Sequence, residues 1–407
     1  MLTYFCDDWW ESAIRFFIGY ISAEVFDGFM EKLFDSNLSE DLTQQKQFFL
    51  QSIIEEAPEK SVDALCLKLL YRETTASKQK VILDCLKVIG NPAVHDKLRL
   101  FMTGGFAQDE KIADRAEDLF FALGGQQSGD LPEQSRQSTS VSFRNPQEQN
   151  AKYILIPGGC YIYSATQKKE TVKDLFVAKY PVTNKLYRSF IYSLQANDSH
   201  KLVSTFSMRL DLIAKNNCWG VGFRDYLKKS NNDLATLLRS KYDDELKFRG
   251  DYQPVVGVTW YAAQAYCLWL SILEGGVARY RLPNEVEWEW AAGGKQGTTG
   301  QEVRLFPWPR TNVPTPEDAN FGRNIDTTRV VGSYPDGVTP ETILYDMAGN
   351  VWEWSNDLYD NDNRALRGGS WYYCANDQRC ISRGSYPPDS GNDDVGFRVT
   401  CSNNPLS

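Results

Sequence analysis

Apolar residues recur at three- and four-residue steps along the first ~125 residues, which is the spacing of one face of an α-helix. Asn91-Pro92 and Gly124-Gly125 interrupt this pattern as helix stops. Residues 1–125 are therefore predicted to form a helical bundle or an antiparallel helical stack. The clearest stripe consists of Ile14, Phe17, Ile18, Ile21, Val25, Phe29 and Leu33.

The next segment, residues 126–150, has almost no apolar side chains apart from Leu131, Val141 and Phe143. Ser, Gln, Pro and Arg dominate it, so the segment buries too little surface to order itself. We predict a flexible linker over residues 126–150.

From residue 151 onward the pattern changes to short segments rich in Tyr, Trp, Gly and Pro. Strand-like runs at 153–157 and 254–258 predict β-structure. A polar, helix-like insert spans about 195–251. Together these patterns predict an α+β protein, with an all-α N-terminal domain followed by a mixed domain over residues 151–402.

Charge and composition exclude some classes of function. The 407 residues include 44 Lys and Arg against 53 Asp and Glu, a net charge of −9, which disfavours nucleic-acid binding. The N-terminus carries Asp7 and Asp8 where a secretory signal has basic residues, and the apolar run 13–23 is too short to span a membrane. The nine cysteines contain no Cys-x-x-Cys pair, which indicates reduced thiols and a cytoplasmic location.

Histidine is scarce, with His95 and His200 the only two in the chain. Because histidine is the commonest metal ligand and general base near neutral pH, sites that need several histidines are disfavoured.

Several blocks of the C-terminal half resemble the formylglycine-generating enzyme (sulfatase-modifying factor) family, whose domain has a C-type lectin fold. They occur in the order expected of that family and cover about 250 residues. The blocks are IPGGC at 156–160, AKYPVTNKLY at 178–187, PVVGVTWYAAQAYCLWL at 254–270, YRLPNEVEWEWAA at 280–292, LYDMAGNVWEW at 344–354, RGGSW at 367–371 and GFRV at 396–399.

The resemblance implies a structural Ca²⁺ site at Asp346, Gly349, Val351 and Glu353. Alternate carbonyls of an extended segment face one side, so Gly349 and Val351 can supply oxygens beside the two carboxylates. A second family site is matched in part by Asn320 and Phe321. If the first site binds calcium, a chelator is expected to lower the melting temperature.

The same resemblance raises the question of catalysis. The family's oxidase holds copper between two cysteine thiolates in the loop after its Gly-Gly-Ser-aromatic motif. Here Cys374 lies in that loop, whereas Cys380 resembles a residue of a core strand. We therefore expect no copper and no enzymatic activity, and two histidines cannot supply the three-histidine iron site of a related branch.

The segment from Trp371 to Gly396 also resembles the variable region of proteins diversified by retroelements. Copying errors at the adenines of AAC or AAT codons never produce Trp, Met, Lys, Glu or Gln. Within residues 372–395 only Gln378 lies outside the reachable set. Tyrosines together with small polar residues are typical of antibody-like contact surfaces. The expected contact residues, within a variable region of about 367–399, are Tyr372, Tyr373, Cys374, Asn376, Asp377, Ser382, Gly384, Ser385, Tyr386, Asn392, Asp393 and Asp394.

The resulting hypothesis is a bacterial, cytoplasmic display protein whose variable loops bind a protein or another macromolecule. Arg379, Arg383 and Arg398 are expected to be fixed scaffold residues that hold these loops. The N-terminal helices could act as an adaptor with a partner of their own. The alternatives are a copper-dependent oxidase, a fixed regulatory or sensor module, and a structural protein that binds only through its helices.

Overall fold

The computed structural model describes residues 5, 11–40, 42–125, 142–196, 204, 206, 219–229, 233–274, 279–294, 299–310 and 313–401. The chain divides into two compact units, residues 1–137 and 138–407. Each unit has its own apolar core.

The N-terminal unit is helical, as the apolar periodicity predicts. Side-chain oxygens of Ser22, Thr43, Thr75 and Asp109 accept backbone amide hydrogens at four helix starts, which satisfies donors that a helix leaves open. The helices are α1 (Glu11–Ile18), α2 (Ala23–Asp35), α3 (Gln44–Glu56), α4 (Asp63–Leu69), α5 (Ala76–Ile89), α6 (His95–Thr103) and α7 (Glu110–Ala122).

The first apolar stripe differs from its prediction in two respects. It lies on two helices rather than one, because the chain leaves α1 at Gly19 and begins α2 after the cap at Ser22. Phe17 and Val25 are exposed at 50% and 46%, whereas the other members of the stripe are buried. The break changes which side of the chain faces the core, so a single periodicity does not hold across it.

The C-terminal unit begins earlier than the sequence pattern indicates. Residues 142–150, expected in the linker, form strand β1 (Ser142–Asn145) and a 3₁₀ turn (Pro146–Glu148). Phe143 is buried and its ring stacks on that of Tyr153 at 5.0 Å. The expected linker is therefore corrected at its end, and its remaining residues 126–141 lie outside the described ranges.

The described residues of the C-terminal unit form three sheets. The first has the order β1-β2-β5-β12-β6, with β2 (Ala151–Ile156), β5 (Leu175–Ala178), β12 (Thr400–Cys401) and β6 (Tyr280–Arg281). The second has the order β4-β3-β7, with β3 (Gly159–Tyr163), β4 (Lys168–Val172) and β7 (Thr299–Gln301). The third has the order β10-β9-β8-β11, with β8 (Trp352–Leu358), β9 (Arg364–Arg367), β10 (Arg383–Tyr386) and β11 (Val395–Gly396).

In the described part of this unit, the helices with assigned bounds are α8 (Asn184–Gln195), α9 (Trp219–Lys228), α10 (Leu234–Leu238), α11 (Trp260–Leu273) and α12 (Glu285–Gly293). Thr259 caps α11, and its hydroxyl oxygen accepts a hydrogen bond from the amide of Ala262 at 3.1 Å. Helix α12 begins at Glu285, because Asn284 and Glu287 form a reciprocal capping box at its start. Residues 254–258 contribute an isolated bridge between Pro254 and Thr183 rather than a strand.

The tryptophans of the family blocks are core residues. The residues at 260, 269, 288, 290, 352 and 354 are all buried. The indole of Trp260 donates to the carbonyl of Ser355, and that of Trp354 donates to the carbonyl of Val258. These bonds join α11 to the sheet that carries the expected variable region.

Within the helices that the structure describes, none combines the length and the apolar character needed to span a bilayer.

Candidate functional site

The expected variable region lies on the hairpin β9–β10 and the loops around it. Arg383–Tyr386 pairs antiparallel with Arg364–Arg367, and Val395–Gly396 runs parallel to the start of β8. Between β9 and β10 the chain passes through Gly368 and Gly369, whose φ angles of +100° and +74° favour glycine. Both ends of the region are thus fixed to one sheet.

Gln378 holds the loop between these strands from inside. The side chain is fully buried, and its Nε2 donates to the carbonyls of Ser370, Tyr373 and Cys374 at 3.4, 3.4 and 3.1 Å. It lies against Gly369, where any Cβ would collide with its amide oxygen. Gln378, the one residue of 372–395 that copying errors at adenines cannot produce, therefore has a structural role.

Three tyrosines form a continuous surface, which we call the tyrosine face: Tyr372, Tyr373 and Tyr386. The rings of Tyr372 and Tyr373 lie 5.5 Å apart, and the hydroxyl oxygens of Tyr373 and Tyr386 are 3.4 Å apart. Tyr372 is 45% exposed, and the other two are partly buried. The hydrogen bond with Tyr386, together with partial burial, raises the pKa of Tyr373 above its ordinary value. The buried Trp352 of β8 packs against the tyrosine face from the protein interior, with its ring 5.7 Å from that of Tyr373.

Most of the smaller expected contact residues are also accessible. Cys374 and Asn376 are exposed, and Asp377, Ser382, Gly384 and Ser385 are half-buried. The few bonds in this group are local, since the thiol of Cys374 donates to Asp377 and the hydroxyl of Ser382 donates to the carbonyl of Asn376.

Asp394 is a correction to the predicted contact set. It is 5% exposed, and its carboxylate accepts a hydrogen bond from the Ser370 hydroxyl at 3.1 Å. Its carbonyl accepts from the amide of Trp352 at 2.9 Å. Burial raises the pKa of Asp394 to about 6. Asp394 is therefore part of the scaffold, because its carboxylate and its carbonyl both accept hydrogen bonds within the domain.

The two residues that precede Asp394, Asn392 and Asp393, contribute to the same scaffold through their backbone only. Asn392 and Asp393 are half-buried, and both use their carbonyls. That of Asn392 accepts from the amide of Gly257, and that of Asp393 accepts from the indole of Trp371. Because these bonds involve only the backbone of residues 392 and 393, their side chains remain replaceable.

The three arginines expected as scaffold residues have internal partners. Arg379 donates to the carbonyl of Asn376, and Arg383 forms two hydrogen bonds of 2.7 and 2.6 Å with the carboxylate of Glu285. Arg398 is fully buried against Glu353 and the carbonyls of Ala178 and Tyr345. Each anchors a different part of the region.

The first expected calcium site does not assemble as an open set of oxygens. Both carboxylate oxygens of Glu353 accept hydrogen bonds from Arg398, and Oε2 also accepts one from the indole of Trp288 at 2.7 Å. Asp346 accepts from the amide of Gly332 at 2.8 Å, and the carbonyl of Gly349 accepts from the amide of Val351 at 2.9 Å. The side chain of Val351 is buried with Trp371 and other apolar residues.

The second expected site fits a cation only in part. The Oδ1 atom of Asn320 is buried and accepts no hydrogen bond from the described part of the chain. The carbonyl of Phe321 is used by the amide of Asn324 at 3.2 Å. One open oxygen is far from the six to eight that Ca²⁺ takes. The residues as placed therefore do not fit the calcium that the motifs imply, and chelation would test whether calcium binds.

The two thiols near the variable region lie in different environments. Cys374 is exposed, whereas Cys380 is fully buried among apolar residues, in a turn rather than in the core strand expected for it. Burial raises the pKa of the Cys380 thiol well above its ordinary value. Copper coordination needs thiolates, so this pair does not fit the oxidase's metal site.

Sequence reasoning missed two cations beside the tyrosine face. The guanidinium carbon of Arg323 lies 3.9 Å from the ring centroid of Tyr372, and the ammonium of Lys247 lies 5.7 Å from that of Trp371. Both residues are distant from the variable region along the chain, and no sequence pattern joins them to it.

Comparison with known proteins establishes the family. Residues 138–402, more than half of the chain, match the family model described as Sulfatase-modifying factor enzyme 1-like domain. The protein therefore belongs to the FGE-sulfatase family, as the sequence motifs predict. The match begins at 138, which agrees with the early start of the C-terminal unit.

Individual relatives carry different names. The "Inactive C-alpha-formylglycine-generating enzyme 2" of Bos taurus is 29% identical over 57% of this chain and 78% of its own length. The "Serine/threonine-protein kinase Pkn1" of Chlamydia trachomatis is 39% identical over 36% of this chain, but the match spans only 24% of that protein. Other matches are named formylglycine-generating enzyme, so the family contains proteins named as active and as inactive. The solved structure of Treponema denticola variable protein 1 is 20% identical, with a TM-score of 0.40 over 65% of this chain and 99% of that one.

Proposed function

We propose that the C-terminal domain, with the C-type lectin fold expected from its motifs, is a ligand-binding display domain and not an enzyme. Its contact surface is the tyrosine face with the accessible residues around it. A retroelement would diversify these positions, and the ligand would be a protein or another macromolecule.

The observation that carries this proposal is the continuity of the tyrosine face. Tyrosine side chains supply large contact area at low conformational cost, and neighbouring Ser, Asn and Asp residues supply adaptable hydrogen bonds. Tyr373 contacts both Tyr372 and Tyr386, and Cys374, Asn376 and Asp377 remain accessible in the same loop. Rigid aromatic groups and adaptable polar groups therefore share one surface.

The division between scaffold and surface supports diversification. Gln378 and Asp394 fix the loops through buried side chains, whereas Asn392 and Asp393 contribute backbone carbonyls that survive substitution. Exposed substitutions usually change stability by less than about 0.5 kcal/mol. A sequence that varies at the accessible positions would thus keep the same framework.

Selection from a random peptide library displayed on phage, with the full chain immobilised, tests the proposal. We expect enrichment of a defined set of peptides on the wild-type chain. The variant Y372A/Y373A/Y386A should lose this enrichment while it still unfolds in one cooperative transition, although its melting temperature falls because Tyr373 and Tyr386 are partly buried. The variant Y192A, which removes a 62% exposed tyrosine of α8, is the matched control and should keep it. Equal enrichment on the triple variant would refute the proposal.

Retroelement diversification has its own test in the flanking DNA. We expect a near-copy of the segment encoding residues 367–399 that differs at adenines, next to a reverse transcriptase gene. A gene without such a repeat would favour a fixed regulatory or sensor module instead.

The oxidase alternative needs both thiols near the variable region as thiolates. The buried Cys380 disfavours it. Copper-dependent oxygen consumption with a cysteine-containing peptide would restore it. The partner expected at the N-terminal helices, the cytoplasmic location and the absence of nucleic-acid binding stay predictions.

A further inference from the structure

Two cations outside the variable region border the tyrosine face, and we call Lys247 and Arg323 the cationic edge. Arg323 stacks on Tyr372 with 3.9 Å between guanidinium carbon and ring centroid. Lys247 lies 5.7 Å from the centroid of Trp371, whose ring is itself 5.6 Å from that of Tyr372. Both cations are exposed. The positive charges therefore adjoin the contact surface.

The backbone of Arg323 is held independently of the side chains of the variable region. Its amide donates to the carbonyl of Trp371, and the amide of Gly322 donates to the carbonyl of Tyr373, both at 2.7 Å. Arg323 also has a left-handed φ of +57°, which costs energy for a residue with a Cβ and persists only where surroundings enforce it. Because these bonds join backbone to backbone, the backbone of Arg323 stays beside the tyrosine face when the side chains of residues 372 and 373 change.

Lys247 is held in a comparable way. Its carbonyl accepts hydrogen bonds from the side-chain amide of Gln253 at 3.0 Å and from the hydroxyl of Thr327. The adjoining Phe248 is buried and packs against Trp371, with 6.0 Å between ring centroids. The backbone of Lys247 is therefore fixed within the scaffold, at a position from which its ammonium reaches the ring of Trp371.

Neither cation is neutralised inside the domain. Each contacts an aromatic ring, and neither forms an ion pair with a carboxylate of the described residues. Acidic residues lie close to both cations, namely Asp326 three residues after Arg323, Asp244 and Glu245 just before Lys247, and Asp393, whose carbonyl accepts a hydrogen bond from Trp371. Of these, Asp393 is at a replaceable position, whereas both cations are in the scaffold.

We infer that the cationic edge recognises carboxylate groups of a protein ligand whose remaining surface packs on the tyrosine face. A guanidinium binds a carboxylate through two parallel hydrogen bonds, and its flat face can remain stacked on Tyr372 while its edge donates. Two cations on a chain of net charge −9 are far fewer than the six to ten phosphate contacts typical of DNA binders. This inference rests on the proposed function and specifies the chemistry of its ligand.

The same peptide selection, repeated on K247Q/R323Q, tests the cationic edge. Peptides enriched on the wild-type chain should contain more Asp and Glu than the starting library, and this excess should disappear on K247Q/R323Q. A synthetic peptide from the wild-type pool should bind K247Q/R323Q about tenfold more weakly, a loss typical of a removed charge pair. The variant K168Q/K169Q, which neutralises two exposed lysines of β4, is the matched control and should bind like the wild type.

The outcomes separate this inference from the proposed function. Loss of enrichment on the tyrosine triple variant, with an unchanged acidic content on K247Q/R323Q, would overturn the cationic edge and leave the display function intact. Retained enrichment on the triple variant would overturn both. Displacement of the bound peptide by oligothymidylate would also overturn the inference, because the cations would then be binding phosphate.

Discussion

The guanidinium of Arg398 lies against the carboxylate of Glu353, with Nη2 2.8 Å from Oε1, and both side chains are completely buried. The pair joins the C-terminal GFRV motif to the block at 344–354. Further hydrogen bonds reach Trp288, Ala178 and Tyr345, so every part of the pair is satisfied. A buried pair of this kind fixes geometry more than it adds net stability.

Glu353→Gln should therefore be strongly destabilising. The substitution leaves the buried Arg398 without its counter-charge, which typically costs about 3–5 kcal/mol. Urea denaturation measures the change, and D225N, which breaks the exposed Asp225–Lys228 pair, is the control with an expected loss below about 1 kcal/mol. Equal effects of E353Q and D225N would contradict the structural role.

A chelator should leave the melting temperature unchanged. The resemblance implies calcium at Asp346, Gly349, Val351 and Glu353, but Glu353 is committed to Arg398, and a dication beside that guanidinium would be repelled. Differential scanning calorimetry with EGTA, and after addition of calcium, checks the expectation. A lower melting temperature in EGTA that calcium restores would reinstate the metal site expected from the motifs.

Much of the fold was predictable because it rests on local chemistry. Thr259 precedes an apolar helix and caps it, and the tryptophans of the motifs are core residues. Strand β1 could not be predicted, because Phe143 is nearly its only apolar signal and its order comes from pairing with β2. Tertiary contact there outweighs composition.

In the candidate site, too, contacts between distant parts of the chain could not be predicted from the sequence. Tyr372, Tyr373 and Tyr386 were identifiable from the motif boundaries around them. In the sequence Asp394 is typical of a surface loop, but in the structure it is buried and accepts a hydrogen bond from the Ser370 hydroxyl. Arg323 meets Tyr372 only because the backbone of its loop binds that of the variable region, a long-range contact without a sequence pattern.

The stability of the C-terminal unit should depend on the protonation of Glu148. Its carboxylate is buried and accepts hydrogen bonds from the hydroxyls of Tyr153 and Tyr266 at 2.6 and 2.7 Å. Burial raises the pKa of Glu148 to about 7, from 4.5. A raised carboxyl pKa means that the folded state binds the proton more tightly, so the contribution is full below pH 4.5 and declines as pH rises through 7.

Comparison of the wild type with E148Q isolates this effect. The amide introduced by E148Q stays neutral at every pH, so the stability of this variant relative to the wild type should increase between pH 5 and pH 8, by roughly 3 kcal/mol at most. Urea midpoints at several pH values provide the measurement. The shift of Asp394 affects both proteins alike and cancels in the difference. A difference in stability that does not vary with pH would show that Glu148 does not titrate in this range.

Gln378 and Asn376 lie in the same turn and should respond to alanine in opposite ways. The buried amide of Gln378 donates to three carbonyls, so Gln378→Ala leaves acceptors unpaired and should cost about 1–3 kcal/mol. Asn376 is exposed and offers Arg379 and Ser382 only its backbone carbonyl, so Asn376→Ala should cost less than about 0.5 kcal/mol. Urea denaturation of both variants tests the distinction between scaffold and variable positions on which the display function depends. Equal losses would mean that the whole turn is structural, and a region of that kind could not be diversified without unfolding the domain.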